Sequence, residues 1–590
     1  MNFFRKTSLL FGVFLPGLLP GANLDIKISP KVSGDPLQAA SLRYQTSGGE
    51  TFSFTRLSYL LSEFAFQRED GSWLEFSNSV AWFDFGEKRD SFRLSNIAPG
   101  SYRSIRFNVG LTTNLNHADP AKFPAAHPLN PNLDGLNWSW QGGYIFLALE
   151  GLWRNPAGEL DGWAYHFARD KNCAPVTLSA PLLMTNETVL EVDFDLASLL
   201  NAPRPLSFVK DGSSTHSRDG DPIAEAIGKN LPGAFRVRRV SQPTEEEVAE
   251  AHPKPLIMPE NSTPYEFKMS ATFPIPDLPR DNPLTVERVN LGRRLFAEKR
   301  LSINNQQSCL DCHSPGKGFT DGRETARGAE GQTGPRNTMP LFNLAWKKQF
   351  FWDGRARSLR EQVLQPIQNP IEMHQSLDQL AAKLTHGKSD YPALFQAAFG
   401  AAEITSQKVA LALEDYLLTL TSCGSKFDRA LRGEEKLSGE EQRGFELFST
   451  EYDPRRGQYG ADCFHCHGGP LFQSQTYGNN GLDAEFSDIG YAKVTGKDSD
   501  KGKFAVPSLR NVALTAPYMH DGRFKTLEEV VEHYCTGVKR NATLDPNIAK
   551  HPDGGVPLSS SDKKALVAFL KTLTDEQLGQ DSRSATRPGS

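Results

Sequence analysis

The sequence predicts a multidomain chain, an N-terminal antiparallel β-sandwich-like domain followed by two mostly α-helical units. Three observations carry that expectation. Apolar residues alternate with period two early in the chain, at Ile105, Phe107 and Val109 and again at Leu190, Val192, Phe194 and Leu196. Beyond Pro283 the period turns helical, as at Val409, Leu413, Tyr416, Leu417 and Leu420, and at Leu566, Phe569, Leu570 and Leu573. A C-x-x-C-H unit occurs twice, both times in the helical part.

Residues 1–22 read as a secretory signal peptide, because Arg5 and Lys6 precede an apolar stretch and small residues Gly21 and Ala22 follow it. Export to the periplasm is therefore expected. No later apolar run reaches the roughly 18 residues needed to cross a bilayer, so no membrane span is expected in the mature chain. Residues 23–240 form the β domain, with turn signals at Asp70-Gly71 and at 156–158. Residues 241–283 carry Glu245, Glu246 and Glu247 and prolines at 253, 255, 259, 264, 274, 276 and 279, which reads as a linker. The helical units span 284–435 and 436–578, and 579–590 is a tail. Ser438 with Glu441, and Thr526 with Glu529, have the spacing of capping boxes and mark helix starts. Composition is ordinary, with 38% hydrophobic residues and a net charge of -5, which gives no sign of a nucleic-acid partner.

Cys309, Cys312 and His313 form one C-x-x-C-H unit, and Cys463, Cys466 and His467 the other. Two thiols at that spacing can each add to one vinyl group of a haem, and the next imidazole then lies under the iron. Zinc would need its cysteine pairs closer together, and a redox dithiol has no use for the histidine. Two covalently bound c-type haems are therefore expected, in two cytochrome c-like domains. Between His313 and Trp352 no histidine and only Met339 offers a second axial ligand, so the first iron is expected to keep an open position. Of the remaining cysteines, Cys423 and Cys535 are the candidate disulfide, with Cys173 left over.

Several further segments resemble the bacterial di-haem cytochrome c peroxidase and MauG superfamily along roughly 284–578. They are Asn337, the run from Phe351 to Ala356, Asn369-Pro370-Ile371-Glu372-Met373, Pro507 to Asn511, and Ala516 to Gly522. The resemblance implies a reaction with hydrogen peroxide. It implies Glu372 as the distal acid–base group, with Gln362 beside it as a further catalytic residue, and Trp352 as the relay between the haems. It also implies Asn337, Thr515 and Pro517 as oxygen ligands of a calcium ion. Without the resemblance, Glu372 reads as a helix-cap or surface residue and Trp352 as a core aromatic. Tyr534 stands where the peroxidases have methionine and MauG has tyrosine, with neighbouring His533 as the alternative ligand. A phenolate stabilises oxidised iron and lowers its potential. The lack of a histidine near residue 329 also departs from peroxidases that need reductive activation.

The N-terminal part, over about 24–240, resembles the MbnP family of periplasmic copper-binding proteins. The matching segments are Leu115 to Pro120, Pro128 to Asn130 and Asn137 to Tyr144. That resemblance implies a fusion of an MbnP-like domain with a MauG-like enzyme of the MbnH type, which oxidises an MbnP tryptophan to kynurenine. Trp138 and Trp140 are the candidate substrates. His117, His127, His166 and His216 are the candidate copper ligands, with His117 and His166 ranked first and imidazole suited to copper. Two rival readings remain: a cytochrome c peroxidase fed by a small c-type cytochrome or cupredoxin, and a copper-binding electron-transfer protein without enzymatic activity.

Overall fold

In a computed structural model the structure is described for residues 21–138, 142–185, 187–242 and 262–578. The expected signal peptide and Trp140 lie outside the described residues. No helix among the described residues is long and apolar enough to cross a membrane.

The β region holds two facing sheets among the described residues, one of five strands and one of nine. Most pairs are antiparallel, as the alternation predicts. Strand Ala22–Val32 departs from that pattern and pairs in parallel with Glu187–Asp195. Aromatic side chains fill the space between the sheets: Tyr59 meets Phe194 at 5.2 Å, and Phe107 meets Phe235 at 5.5 Å. Such pairs add to simple area burial. The larger sheet runs through Arg56–Arg68, Ile145–Arg154, Leu160–Ala168 and the short strand Ser214–Thr215, and this edge faces the helical part.

The helical part repeats one packing device twice. Helix Val286–Phe296 crosses Ser406–Leu418 at Gly292, where a Cβ would stand 1.9 Å from the Ala412 carbonyl oxygen. Helix Gly439–Ser449 crosses Ser560–Lys571 at Gly444, where a Cβ would stand 1.9 Å from the Ala565 carbonyl oxygen. Tyr416 and Phe569, each one turn beyond the alanine, close the two crossings in the same way. Each C-x-x-C-H unit follows its glycine by less than two dozen residues, so each helix pair frames one unit. Both capping boxes form as the sequence predicts, at Ser438 with Glu441 and at Thr526 with Glu529.

The expected linker is only partly one. Residues 243–261 lie outside the described residues, while 262–283 form a strap against the first helical unit. Phe273 is fully buried there, the Trp346 indole N–H donates to the Pro274 carbonyl at 2.6 Å, and Asn282 donates to Asp415 at 2.7 Å. The strap also touches the β region, where Asn130 donates to the Ile275 carbonyl at 2.9 Å. Proline content misled the sequence reading because Pro274 and Pro276 are buried rather than solvated. Cys423 and Cys535 are not bridged: they sit in different hydrophobic clusters.

Candidate haem and metal centres

Two cavities lie back to back in the helical part. The first, about 450 Å³, is lined by Cys309, Cys312, His313, Met339, Gln362 and Glu372 among others. The second, about 240 Å³, is lined by Cys463, Cys466, His467, Met519 and Tyr534 among others. Asn337, Pro340 and Trp352 line both, and so form the wall between them. Each is a largely apolar hollow with a C-x-x-C-H unit at its edge, which is the shape and chemistry a covalently attached macrocycle requires.

The two motif histidines are held alike. His313 directs Nδ1 to the Phe319 carbonyl at 2.9 Å, and His467 directs Nδ1 to the Pro507 carbonyl at 3.1 Å. A carbonyl on Nδ1 fixes the tautomer and leaves Nε2 for a metal. Burial pushes both imidazoles toward the neutral form, His467 down to about 4. Among the described residues lining the first cavity, His313 is the only histidine, so no second imidazole competes for the opposite face.

Glu372 is neither a cap nor a surface residue. It lines the first cavity, and burial raises its pKa, while the Asn369 side chain, donating to it at 2.8 Å, and Arg355 oppose that shift. Gln362 lines the same space from helix Leu359–Gln368. Lys347, on the cavity wall, is pushed down to about 8 by burial. An anion in the cavity would relieve that cost. In the second cavity Tyr534 begins to emerge from a π-helical turn, His533–Gly537, a distortion that often re-aims a side chain at a functional site. Burial raises the pKa of its phenol, and the Asn480 amide donates to it at 3.3 Å. His533 is directed elsewhere, with Nε2 3.0 Å from the Asn480 carbonyl. Met519 also lines this cavity, a sulfur donor that the sequence reading did not single out as a ligand. Asn337, Thr515 and Pro517 all line the second cavity beside Trp352. The Asn337 amide nitrogen donates to the Arg323 and Glu324 carbonyls, so the oxygen is the end left to bind a cation.

The β region brings only part of its candidate set together. The parallel register Ala164↔Ser214 and Tyr165↔Thr215 carries His166 opposite His216 at the next step, and their rings meet with Nδ1 and Nε2 3.1 Å apart. His465, from inside the second C-x-x-C-H unit, joins them, with one donor atom of each ring within 4.8 Å of the others. Trp138 stacks on His216 at 5.2 Å. His117 is not part of this group: it is half-exposed, with Nε2 3.0 Å from Asp170, an ordinary surface pair. His127 stacks on Phe123 and accepts from the Leu129 N–H.

Comparison with known proteins agrees with this division. The family profile described as "Di-haem cytochrome c peroxidase" matches residues 286–436, and the MbnP profile matches 21–217. The methylamine utilization protein MauG of Methylorubrum extorquens is 37% identical over 50% of this chain and 81% of its own. Cytochrome c551 peroxidase of Nitrosomonas europaea is 34% identical over 52% of this chain and 86% of its own. A crystal structure titled a MauG-like protein associated with microbial copper homeostasis is 34% identical, covering 53% of this chain and 97% of that one, with a TM-score of 0.47. The family is one of di-haem cytochrome c peroxidases, which implies two c-type haems here and a reaction with hydrogen peroxide. The chain therefore belongs to the di-haem cytochrome c peroxidase and MauG family of enzymes, fused behind an MbnP-like β region.

Proposed function

We propose that this chain is an exported, periplasmic enzyme that uses hydrogen peroxide to oxidise Trp138 of its own β domain to kynurenine, and that the β domain binds copper. The observation that carries this reading is the stacking of Trp138 on His216, whose ring stands 5.1 Å from His465 between the two cysteines of the second haem-attachment unit.

Cys309, Cys312 and His313 would hold one haem, and Cys463, Cys466 and His467 the other, with Tyr534 of the same cavity as a further ligand. When bound, the pair supplies peroxide reduction and the oxidising power that withdraws electrons from an indole. Glu372 takes a proton from peroxide and returns it to the departing oxygen, a role suited to a buried carboxyl with a raised pKa. Gln362 offers an amide to orient the same oxygens. Lys347, on the wall of the same cavity, would offer a positive charge to an acidic group of the haem. Trp352, common to both cavity walls, is the conduit between them. Asn337, Thr515 and Pro517 provide hard oxygens for a calcium ion that would stiffen that wall.

At Trp138, two molecules of peroxide deliver two oxygen atoms and leave as two waters, which opens the indole to N-formylkynurenine. Hydrolysis then releases formate and leaves kynurenine. His166 and His216 supply imidazoles for copper. Intact-mass analysis of the haem-loaded protein before and after peroxide tests the reading, with Trp138→Phe as control. Oxygen uptake is expected in the wild type and not in the variant. Peroxide consumption without any mass change, sustained by a reduced c-type cytochrome or cupredoxin, would instead make this an ordinary peroxidase like its relatives.

A further inference from the structure

We infer that His465, carried by the haem domain, completes a three-histidine copper(I) site with His166 and His216 of the β domain, so that one metal ion bridges the two domains beside the second haem. This rests on the copper reading above and extends it across the domain boundary.

All three imidazoles are more than nine-tenths buried, with side-chain exposures of 1% for His166, 8% for His216 and 3% for His465. Each has one nitrogen on a buried carboxylate. His166 Nε2 lies 2.9 Å from Glu150, His216 Nδ1 pairs with Glu451, and His465 Nε2 lies 2.9 Å from Asp462. A carboxylate behind every imidazole is the arrangement that orients histidines on a metal. It also has an electrostatic consequence. A neutral ring that turns its one N–H toward its carboxylate keeps its lone pair on the other nitrogen, and those two atoms, His166 Nδ1 and His216 Nε2, face each other at 3.1 Å. Two facing lone pairs repel, and a cation between them removes the repulsion.

The charge balance selects the ion. Among the described residues, Arg56 pairs with Glu150, Lys550 pairs with both Glu451 and Asp462, and His551 also lies 2.8 Å from Asp462, so with every imidazole neutral these three carboxylates meet two fixed positive charges. One negative charge is left over, which a monovalent ion matches with neutral donors. Imidazole suits copper, and the rings of Trp138 and Phe464 pack against His216. His465 lies between Cys463 and Cys466, so an ion held there touches the same short segment that anchors the second haem.

Anaerobic titration of the haem-loaded full chain with copper(I) against a chromogenic chelator tests this, with X-ray absorption to count imidazoles and the haem spectrum as a second readout. The wild type is expected to take one equivalent on three imidazoles and to shift the absorption of one haem. His465→Gln is expected to weaken binding roughly tenfold or more, to drop one imidazole and to abolish the haem shift, while an unchanged haem content shows that it folds. If His166→Gln abolishes binding but His465→Gln leaves affinity and coordination intact, the bridging site is wrong and a β-domain copper site stands. If the wild type binds no copper(I), or only zinc binds, both readings fall.

Discussion

The Trp352 indole N–H donates to the Asn337 backbone carbonyl at 2.9 Å, which pins the ring in the wall shared by the two cavities. A ring fixed there faces both cavities at once. Trp352→Phe keeps an aromatic in the wall but removes both the hydrogen bond and the easily oxidised indole. Peroxide is expected to react with the variant at close to the wild-type initial rate, while oxidation of Trp138 slows severalfold or more. Stopped-flow absorption and mass analysis at matched times separate the two. Equal slowing of both steps would mean that Trp352 acts only as packing.

Glu372 must be ionised to take a proton. Burial raises its pKa, so the fraction available as a base falls at a higher pH than for a free carboxylate, whose pKa is about 4.3. The rate of reaction with peroxide is therefore expected to drop on acidification with a midpoint above that value. Glu372→Gln is expected to lose about 100- to 10,000-fold and to flatten that limb. A variant retaining both the rate and the limb would remove Glu372 from the proton path.

The two helix crossings predict matched sensitivity. Gly292→Ala and Gly444→Ala each force a methyl group against a backbone carbonyl, 1.9 Å away in both cases unless the helices part. Each is expected to cost about 1–3 kcal/mol, read by denaturant titration. Each should also disturb chiefly the haem of its own half, which the haem spectra resolve.

Asp415 is the buried partner of the strap residue Asn282, and burial raises its pKa to about 9 against the opposing pull of Arg288. A raised carboxyl favours folding at low pH, and that contribution is lost as pH climbs from the ordinary carboxylate range toward about 9. Melting temperature is expected to fall over this window, and Asp415→Asn is expected to flatten the fall. Identical pH profiles for variant and wild type would rule out this origin.

Much of this was legible in the sequence, and the remainder was hidden for identifiable reasons. Period two, period 3.6 and the capping boxes at Ser438 and Thr526 are local signals, and they located the β region and the helices. The C-x-x-C-H spacing likewise located both cavities, because its chemistry is contained in five consecutive residues. His465 was invisible because it occupies an interchangeable position within that motif, and only the docking of the domains gives it neighbours. The pairing of His166 with His216 depends on a parallel register between segments far apart in sequence, which no local pattern specifies. His117 sat in a better-matched segment and so ranked above His216, yet it faces solvent. The strap at 262–283 read as a linker because proline marks both open and packed extended chain.

The central claim is that the enzyme and its substrate are one chain, with Trp138 the residue consumed. Peptide-resolved mass spectrometry of the haem-loaded protein, after addition of a small excess of peroxide without any external electron donor, tests it most directly. The account predicts oxygenation and ring opening at Trp138, ahead of Trp140 and the tryptophans buried in the β domain. Intact Trp138 after the peroxide has been consumed, or oxidation confined to Trp352, would contradict it.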